Sequence, residues 1–106
     1  MMIRIDLSEL NKLERYLKEH NIKYERSDED DGYFCRHQIS VPEHGAGKKW
    51  DAICQYGSYG YEAGLLEIYG TLVDRAKWGD TDTVCGWLKA DDVIARIEAE
   101  EVRQDE

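Results

Sequence analysis

Two stretches of strict two-residue alternation constrain this chain more than any other feature. From Tyr33 to Val41 the odd positions read Tyr33, Cys35, His37, Ile39 and Val41, and the even ones Phe34, Arg36, Gln38 and Ser40. From Trp50 to Tyr56, the residues Trp50, Ala52, Cys54 and Tyr56 share one face, and Asp51, Ile53 and Gln55 the other. Side chains on a strand point to alternate faces, so both stretches read as strands with one buried face. Strands with one dry and one wet face suit an antiparallel sheet. The dry face must be covered, and the two ends of the chain offer the cover.

Leu7, Leu10, Leu13 and Leu17 recur at helical spacing, with Tyr16 beside them. Asp6 and Glu9 have the spacing of a capping box with Asp6 as N-cap. Asn21 suits the left-handed position that ends a helix, with Ile22 folding back onto it. A second helix is expected from Ala90 to about Arg103, burying Val93, Ile94, Ile97 and Val102. Asp91 and Asp92 fall in its first turn, where the helix dipole favours acids. Between the helices the reading is a strand from Ile22 to Arg26, an acidic turn from Ser27 to Gly32, and a loop from Pro42 to Lys49. A turn from Gly57 to Tyr61, a short strand or helix from Leu65 to Tyr69, a loop from Asp74 to Asp82 and a strand from Thr83 to Leu88 complete it. The expected fold is α+β. An antiparallel sheet of four to five strands carries one N-terminal and one C-terminal helix, in a single domain of 106 residues frayed over 102–106.

The formal charge is −9 and it is unevenly spread. Asp28, Glu29, Asp30 and Asp31 stand together, and residues 81–106 hold eight acids against three bases. A phosphate backbone rewards a basic surface, so direct nucleic-acid binding is disfavoured. An acidic field suits basic protein partners, including those that themselves bind nucleic acid. No apolar run approaches the roughly 18–20 residues that span a bilayer, and the N-terminus lacks the apolar stretch of a signal peptide. A cytoplasmic protein without a membrane role is expected.

Three cysteines, Cys35, Cys54 and Cys85, argue against a disulfide framework in a reducing compartment. With His37 they make the sharpest chemical constellation. Cys35 and His37 face the same way on one strand, and Cys54 faces inward on another. Together with Cys85 they form a candidate closed zinc site, Cys35, His37, Cys54 and Cys85, with His44 as a substitute ligand. The spacing matches no standard zinc signature, and buried apolar thiols are the plain alternative. Side chains two apart on a strand lie about 6–7 Å apart, too far for a Cys35–His37 catalytic hydrogen bond. No enzyme activity is expected. His20, ending the first helix, needs no explanation beyond the helix dipole.

Tyr56, Tyr59 and Tyr61 lie in the run Gln55-Tyr56-Gly57-Ser58-Tyr59-Gly60-Tyr61, whose composition suits a binding loop and equally a tight turn packed over the sheet. No phosphate-binding loop is present, and the acids of residues 28–31 lack the calcium-loop pattern. Asp28, Glu29, Asp30 and Asp31, with Asp91, Asp92, Glu98, Glu100 and Glu101, offer a line of carboxylates that imitates phosphates. Asp28, Glu29, Asp30, Asp31, Asp91, Asp92 and the three tyrosines are the candidate partner-binding residues.

The stretches Trp50-Asp51-Ala52-Ile53-Cys54, Gly57 to Glu67, and Gly86-Trp87-Leu88-Lys89-Ala90-Asp91-Asp92-Val93-Ile94 carry a resemblance that spans roughly residues 33–97. The chain resembles small proteins carried by phages and mobile elements of gut Firmicutes. Some acidic proteins of this size and origin are anti-CRISPR inhibitors of the type II RNA-guided nuclease, and some inhibitors of that class bind zinc. Similar sequences are expected to carry Thr, a good N-cap, where Lys89 stands. The resemblance implies an inhibitor that binds the type II CRISPR effector nuclease, a basic protein, and blocks nucleic-acid loading. The alternative is a mobile-element assembly domain with a zinc or thiol core and no inhibitory action.

Overall fold

A computed structural model describes residues 5–31, 34–42 and 48–104. The elements run α1 (Ser8–Glu19), β1 (Glu25–Asp30), β2 (Cys35–Pro42), β3 (Lys48–Gln55), β4 (Leu66–Gly70), α2 (Arg75–Trp78), β5 (Val84–Leu88) and α3 (Ala90–Gln104). A single 3-10 turn, Tyr61–Ala63, lies between β3 and β4. The strands form one antiparallel meander in the order β1-β2-β3-β4-β5. Helices α1 and α3 pack on each other and on one face of the sheet. The fold is therefore α+β, with the expected helix at each end, and Leu66–Gly70 is strand rather than helix. Among the described residues no helix is long and apolar enough to cross a membrane.

The core is what the two periodicities select. Leu10, Leu13 and Leu17 of α1 are fully buried, against Ile39, Val41, Trp50, Ala52, Cys54, Leu66 and Ile68 of the sheet. Ala90, Val93 and Ile97 bring α3 to the same core, and Leu72 closes it beyond β4. Burying one such leucine or isoleucine contributes about 1.5–3 kcal/mol. Asn21 does take the left-handed conformation, at φ 56°. The Ile22 N–H then returns to the Leu17 carbonyl at 2.9 Å and ends α1. Tyr33, Gly32 and His44, the middle of the loop after β2, and the side chain of Val102 lie outside the described residues.

Three expectations about helix ends and turns need correction. Asp6 is not the N-cap of α1; Leu7 is, and Asp6 instead accepts the Ser8 N–H at 2.9 Å. Glu9 leaves the capping box altogether: its carboxylate accepts the N–H of Ala90 at 2.7 Å, 81 residues away. That bond caps α3 from outside, while Asp92 accepts the Lys89 N–H at 2.9 Å from within. Two donors of the first turn are thus satisfied without a Thr at position 89. Ser27, Asp28, Glu29 and Asp30 are not turn but strand, paired along β2 from Glu25↔Ser40 to Asp30↔Cys35. Asp74–Asp82 is not plain loop, since Asp74 caps the single turn of α2 by accepting the Lys77 N–H at 3.0 Å.

The reason β1 accepts so many charges is local. Arg26 and Asp28 share the inner face with Ile39 and His37 of β2. Arg26 reaches α1, donating to Asn11 at 2.8 Å and Glu14 at 3.1 Å, and it also holds Asp28 at 3.0 Å. Inward-facing charge at a sheet edge discourages pairing with a further strand.

At the opposite end of the core lies a buried ion pair. Arg96 is 8% and Asp80 9% exposed. The guanidinium donates two bonds to the carboxylate, at 2.8 and 3.2 Å, and a third to the Leu72 carbonyl at 2.9 Å. Asp80 also accepts the Asp74 N–H at 2.8 Å, and Trp78 covers Arg96 at 4.9 Å. The hydrogen bonds from Arg96 hold the Asp80 carboxyl below its ordinary range despite burial. The pair locks α3, α2 and the β4–β5 connection together. Replacing Asp80 with Asn strands a buried cation and is expected to cost about 3 kcal/mol at pH 7 in urea unfolding. A carboxyl with a lowered native pKa stabilises the fold above its unfolded value near 4 and loses that contribution as pH falls through the native value. The gap between wild type and Asp80→Asn is therefore expected to narrow below about pH 4.

Candidate functional site

Connectivity sorts the loops between the two ends of the sheet. In an antiparallel meander, alternate connections return to the same end. The β1–β2 turn, the β3–β4 connection and the step from β5 into α3 therefore share one end, opposite the β2–β3 and β4–β5 connections. The registers agree: Asp30↔Cys35, Arg36↔Gln55 and Leu66↔Leu88 are the last pairs on that side. Glu29, Asp30, Asp31, Tyr56, Tyr59, Tyr61, Asp91 and Asp92, spread over more than sixty positions of sequence, thus lie at one end of the sheet, ranged from its β1 edge to its β5 edge.

Rings run across that end. Phe34 is 60% exposed and meets Tyr56 edge-on, with centroids 5.8 Å apart; Tyr56 lies 5.5 Å from Tyr61. Tyr61, Glu62, Tyr59 and Trp87 then enclose a groove of about 200 Å³. On the other flank Glu29, Asp30, Asp31 and Arg36 border Phe34. Burial, the Glu62 charge and Tyr56 keep the Tyr61 phenol above its ordinary pKa, so it stays neutral. Asp91 pairs with Lys12 at 3.0 Å, and Asp92 serves the α3 terminus, so these two acids also have structural work.

Trp87 is the residue that sequence alone does not single out. It is 65% exposed and sits at φ 60° in a bulge where β5 slips against β4. A left-handed backbone costs a non-glycine residue roughly 1–2 kcal/mol. Strain of this kind concentrates at functional sites. The Trp87 N–H is fixed to the Tyr59 carbonyl at 3.1 Å, and the Tyr59 N–H to Glu67 at 3.0 Å. Glycine makes the approach feasible. A Cβ on Gly86 would fall 2.2 Å from the Tyr59 Cβ and 2.9 Å from its carbonyl oxygen. Sequence does not single out Phe34 either; its place before Arg36, Gln38 and Ser40 at the even positions is the signal that could have found it.

Asp28 lies on the inner face of the β1 edge but stays 45% exposed at its side chain, and the His37 Nδ1–H donates to its carboxylate at 2.6 Å. Burial pushes the Asp28 carboxyl up, but the hydrogen bonds from His37 and Arg26 outweigh it and hold it below the usual range. The same face carries Cys35, His37 and Cys54, with His37 opposite Cys54 in the register. Alternation thus turns those three inward as expected. Cys85 does not join them. It pairs with Ile68, level with Ala52, on the second strand over from Cys54. That places it on the order of 10 Å across the sheet from Cys54 and a further two residues along it. Sulfurs sharing one zinc must sit roughly 4 Å apart, given Zn–S bonds near 2.3 Å. Cys85 instead accepts a hydrogen bond from Arg96 at 3.5 Å. Among the described residues no three of His, Cys, Asp and Glu gather as a metal requires.

The thiols are placed as small apolar groups. Burial raises the pKa of all three, Cys54 to about 11, with Asp30 adding to the effect at Cys35. At pH 8 only about 0.1% of Cys54 is thiolate, so alkylation of the native protein is expected to reach it last, after Cys85, by peptide mapping of a time course. Gly86→Ala is expected to cost about 1–3 kcal/mol through overpacking against Tyr59, read as a lower urea midpoint with unchanged slope. Comparison of the chain with protein-family models, curated proteins and solved structures finds no match.

Proposed function

We propose that this chain is an inhibitory protein of a phage or mobile element that binds a basic nucleic-acid-handling protein and blocks nucleic-acid loading. The type II CRISPR effector nuclease is the partner that the sequence resemblance implies. One observation carries the reading: separate loops bring exposed rings and carboxylates to a single pole of an acidic molecule. Aromatic rings provide contact area with little rotamer entropy to lose, and they are enriched where proteins bind proteins. The carboxylates around them match a surface evolved to hold phosphates. An acidic body lodged on such a surface excludes nucleic acid by volume and by charge.

The test is capture of purified effector nuclease on the immobilised protein across a salt series. Retention is expected near 0.1 M salt and loss by about 0.5 M, as the Debye length shrinks from about 10 Å. Glu29→Lys with Asp91→Lys is expected to slow association roughly tenfold at low salt and to leave dissociation nearly unchanged. A nuclease that cleaves at full rate with saturating inhibitor present counts against inhibition and favours the assembly-domain reading.

A further inference from the structure

The groove at Trp87 asks for a specific occupant. Its volume, about 200 Å³, is below the roughly 300–1,000 Å³ of small-molecule sites and suits a single side chain. Three of its walls, Tyr59, Tyr61 and Trp87, are aromatic, and Glu62 supplies the one charge on its lining. Ring faces carry negative quadrupole, so aromatic walls beside a carboxylate favour a cation over an apolar or anionic group. The left-handed conformation of Trp87 and the close packing at Gly86 set the backbone from which the 65% exposed indole projects, so the groove wall needs little backbone rearrangement to form. A flat cation stacks on flat rings better than a compact, strongly hydrated ammonium does. The molecule already contains one such arrangement, with the Arg96 guanidinium over Trp78 at 4.9 Å. A second copy of this chain is a poor occupant, because the pole would bring its own acids against themselves.

We infer that the groove formed by Tyr59, Tyr61, Glu62 and Trp87 receives one arginine side chain from the protein partner. The inference rests on the proposed function for the partner's basic character, and it names the contact that this partner makes. The guanidinium stacks on Trp87 with its edge towards the Glu62 carboxylate. Net charge brings the partner near, and the groove fixes its register.

The experiment uses the full chain and a hexa-arginine peptide, with a hexa-citrulline peptide as the uncharged control of nearly the same shape. Binding is followed at the indole N–H resonances of Trp50, Trp78 and Trp87. The expected result is a saturable shift at Trp87 with arginine, absent with citrulline. Trp87→Asn removes the ring while tolerating the left-handed backbone. It is expected to weaken the arginine peptide about tenfold, as is Glu62→Gln, while Trp87→Phe retains most of the affinity. Thermal unfolding of each variant shows whether the fold is kept. Equal affinity of the arginine peptide for wild type and a folded Trp87→Asn overturns the groove and leaves a basic partner intact, since diffuse charge then explains binding. Self-association that Trp87→Asn abolishes, seen by sedimentation without peptide, overturns the arginine and assigns the groove to a second copy. A Trp87 shift with the peptide, alongside no capture of the effector nuclease, upholds the groove and rejects the proposed partner.

Discussion

The connectivity of the sheet is the constraint on which the functional reading hangs. A five-strand meander has only two ends, and alternate loops must share one of them. α1 leads into the far end of β1, and α3 leaves from the near end of β5, so both helices begin at the same pole. Glu9 of α1 capping Ala90 of α3, and Lys12 of α1 pairing with Asp91 of α3, record that parallel arrangement. Two helix N-termini side by side put partial positive charge at one end of the molecule. Carboxylates are favourable there, so part of the acidic pole follows from the helices themselves. The rings follow from the loops that the meander returns to the same place.

The two ends of the fold divide their work. The far end is tied by Asp80, Arg96 and their partners: the guanidinium donates to Asp80, the Leu72 carbonyl and the Cys85 sulfur and stacks on Trp78. Single-partner loss there is costly because the remaining charge has no water to turn to. The near end holds exposed rings, a left-handed tryptophan and a glycine with no room for a methyl group. Strain located where the core is already complete can be carried without endangering the core. That division would suit the proposed binding role, since a surface can be shaped while the scaffold beneath it stays fixed.

Much of this was legible in the residues, and the parts that were not share a cause. Period two turned Cys35, His37, Ile39, Val41, Trp50, Ala52 and Cys54 inward, and all are buried. The leucine stripe of α1 and the left-handed Asn21 were equally readable, because both depend on neighbours three or four residues away. The misreadings depend on distant partners. Ser27–Asp30 looked like a turn because four polar residues favour one, yet Arg26 and Asp28 find Glu14, Asn11 and His37 across the inner face. Glu9 looked like a local cap because its true acceptor role lies at Ala90. Cys85 was grouped with the other thiols because alternation tells the face of a strand and not its place in the sheet. Order β1 to β5 puts two strand spacings between Cys85 and Cys54, which no count along the chain reveals.

Charge and aromatic surface act at different ranges, and the proposed function would use both. At physiological salt the field of a −9 molecule decays over about 8 Å, so under the proposed function it would guide an approaching basic partner and leave its orientation loose. A carboxylate such as Glu29 on the exposed strand can pair with many cations at little gain, as solvated ion pairs contribute about 0–1 kcal/mol. Orientation must come from something rigid and shaped. The Trp87 backbone is held by the Tyr59 carbonyl and by the close packing at Gly86, and Phe34, Tyr56 and Tyr61 are joined by ring-to-ring contact at the same end. Acids without the rings would bind any basic surface weakly; rings without the acids would find the partner slowly. Their coincidence at one end of the sheet is the arrangement on which the proposed function would draw for both reach and selectivity.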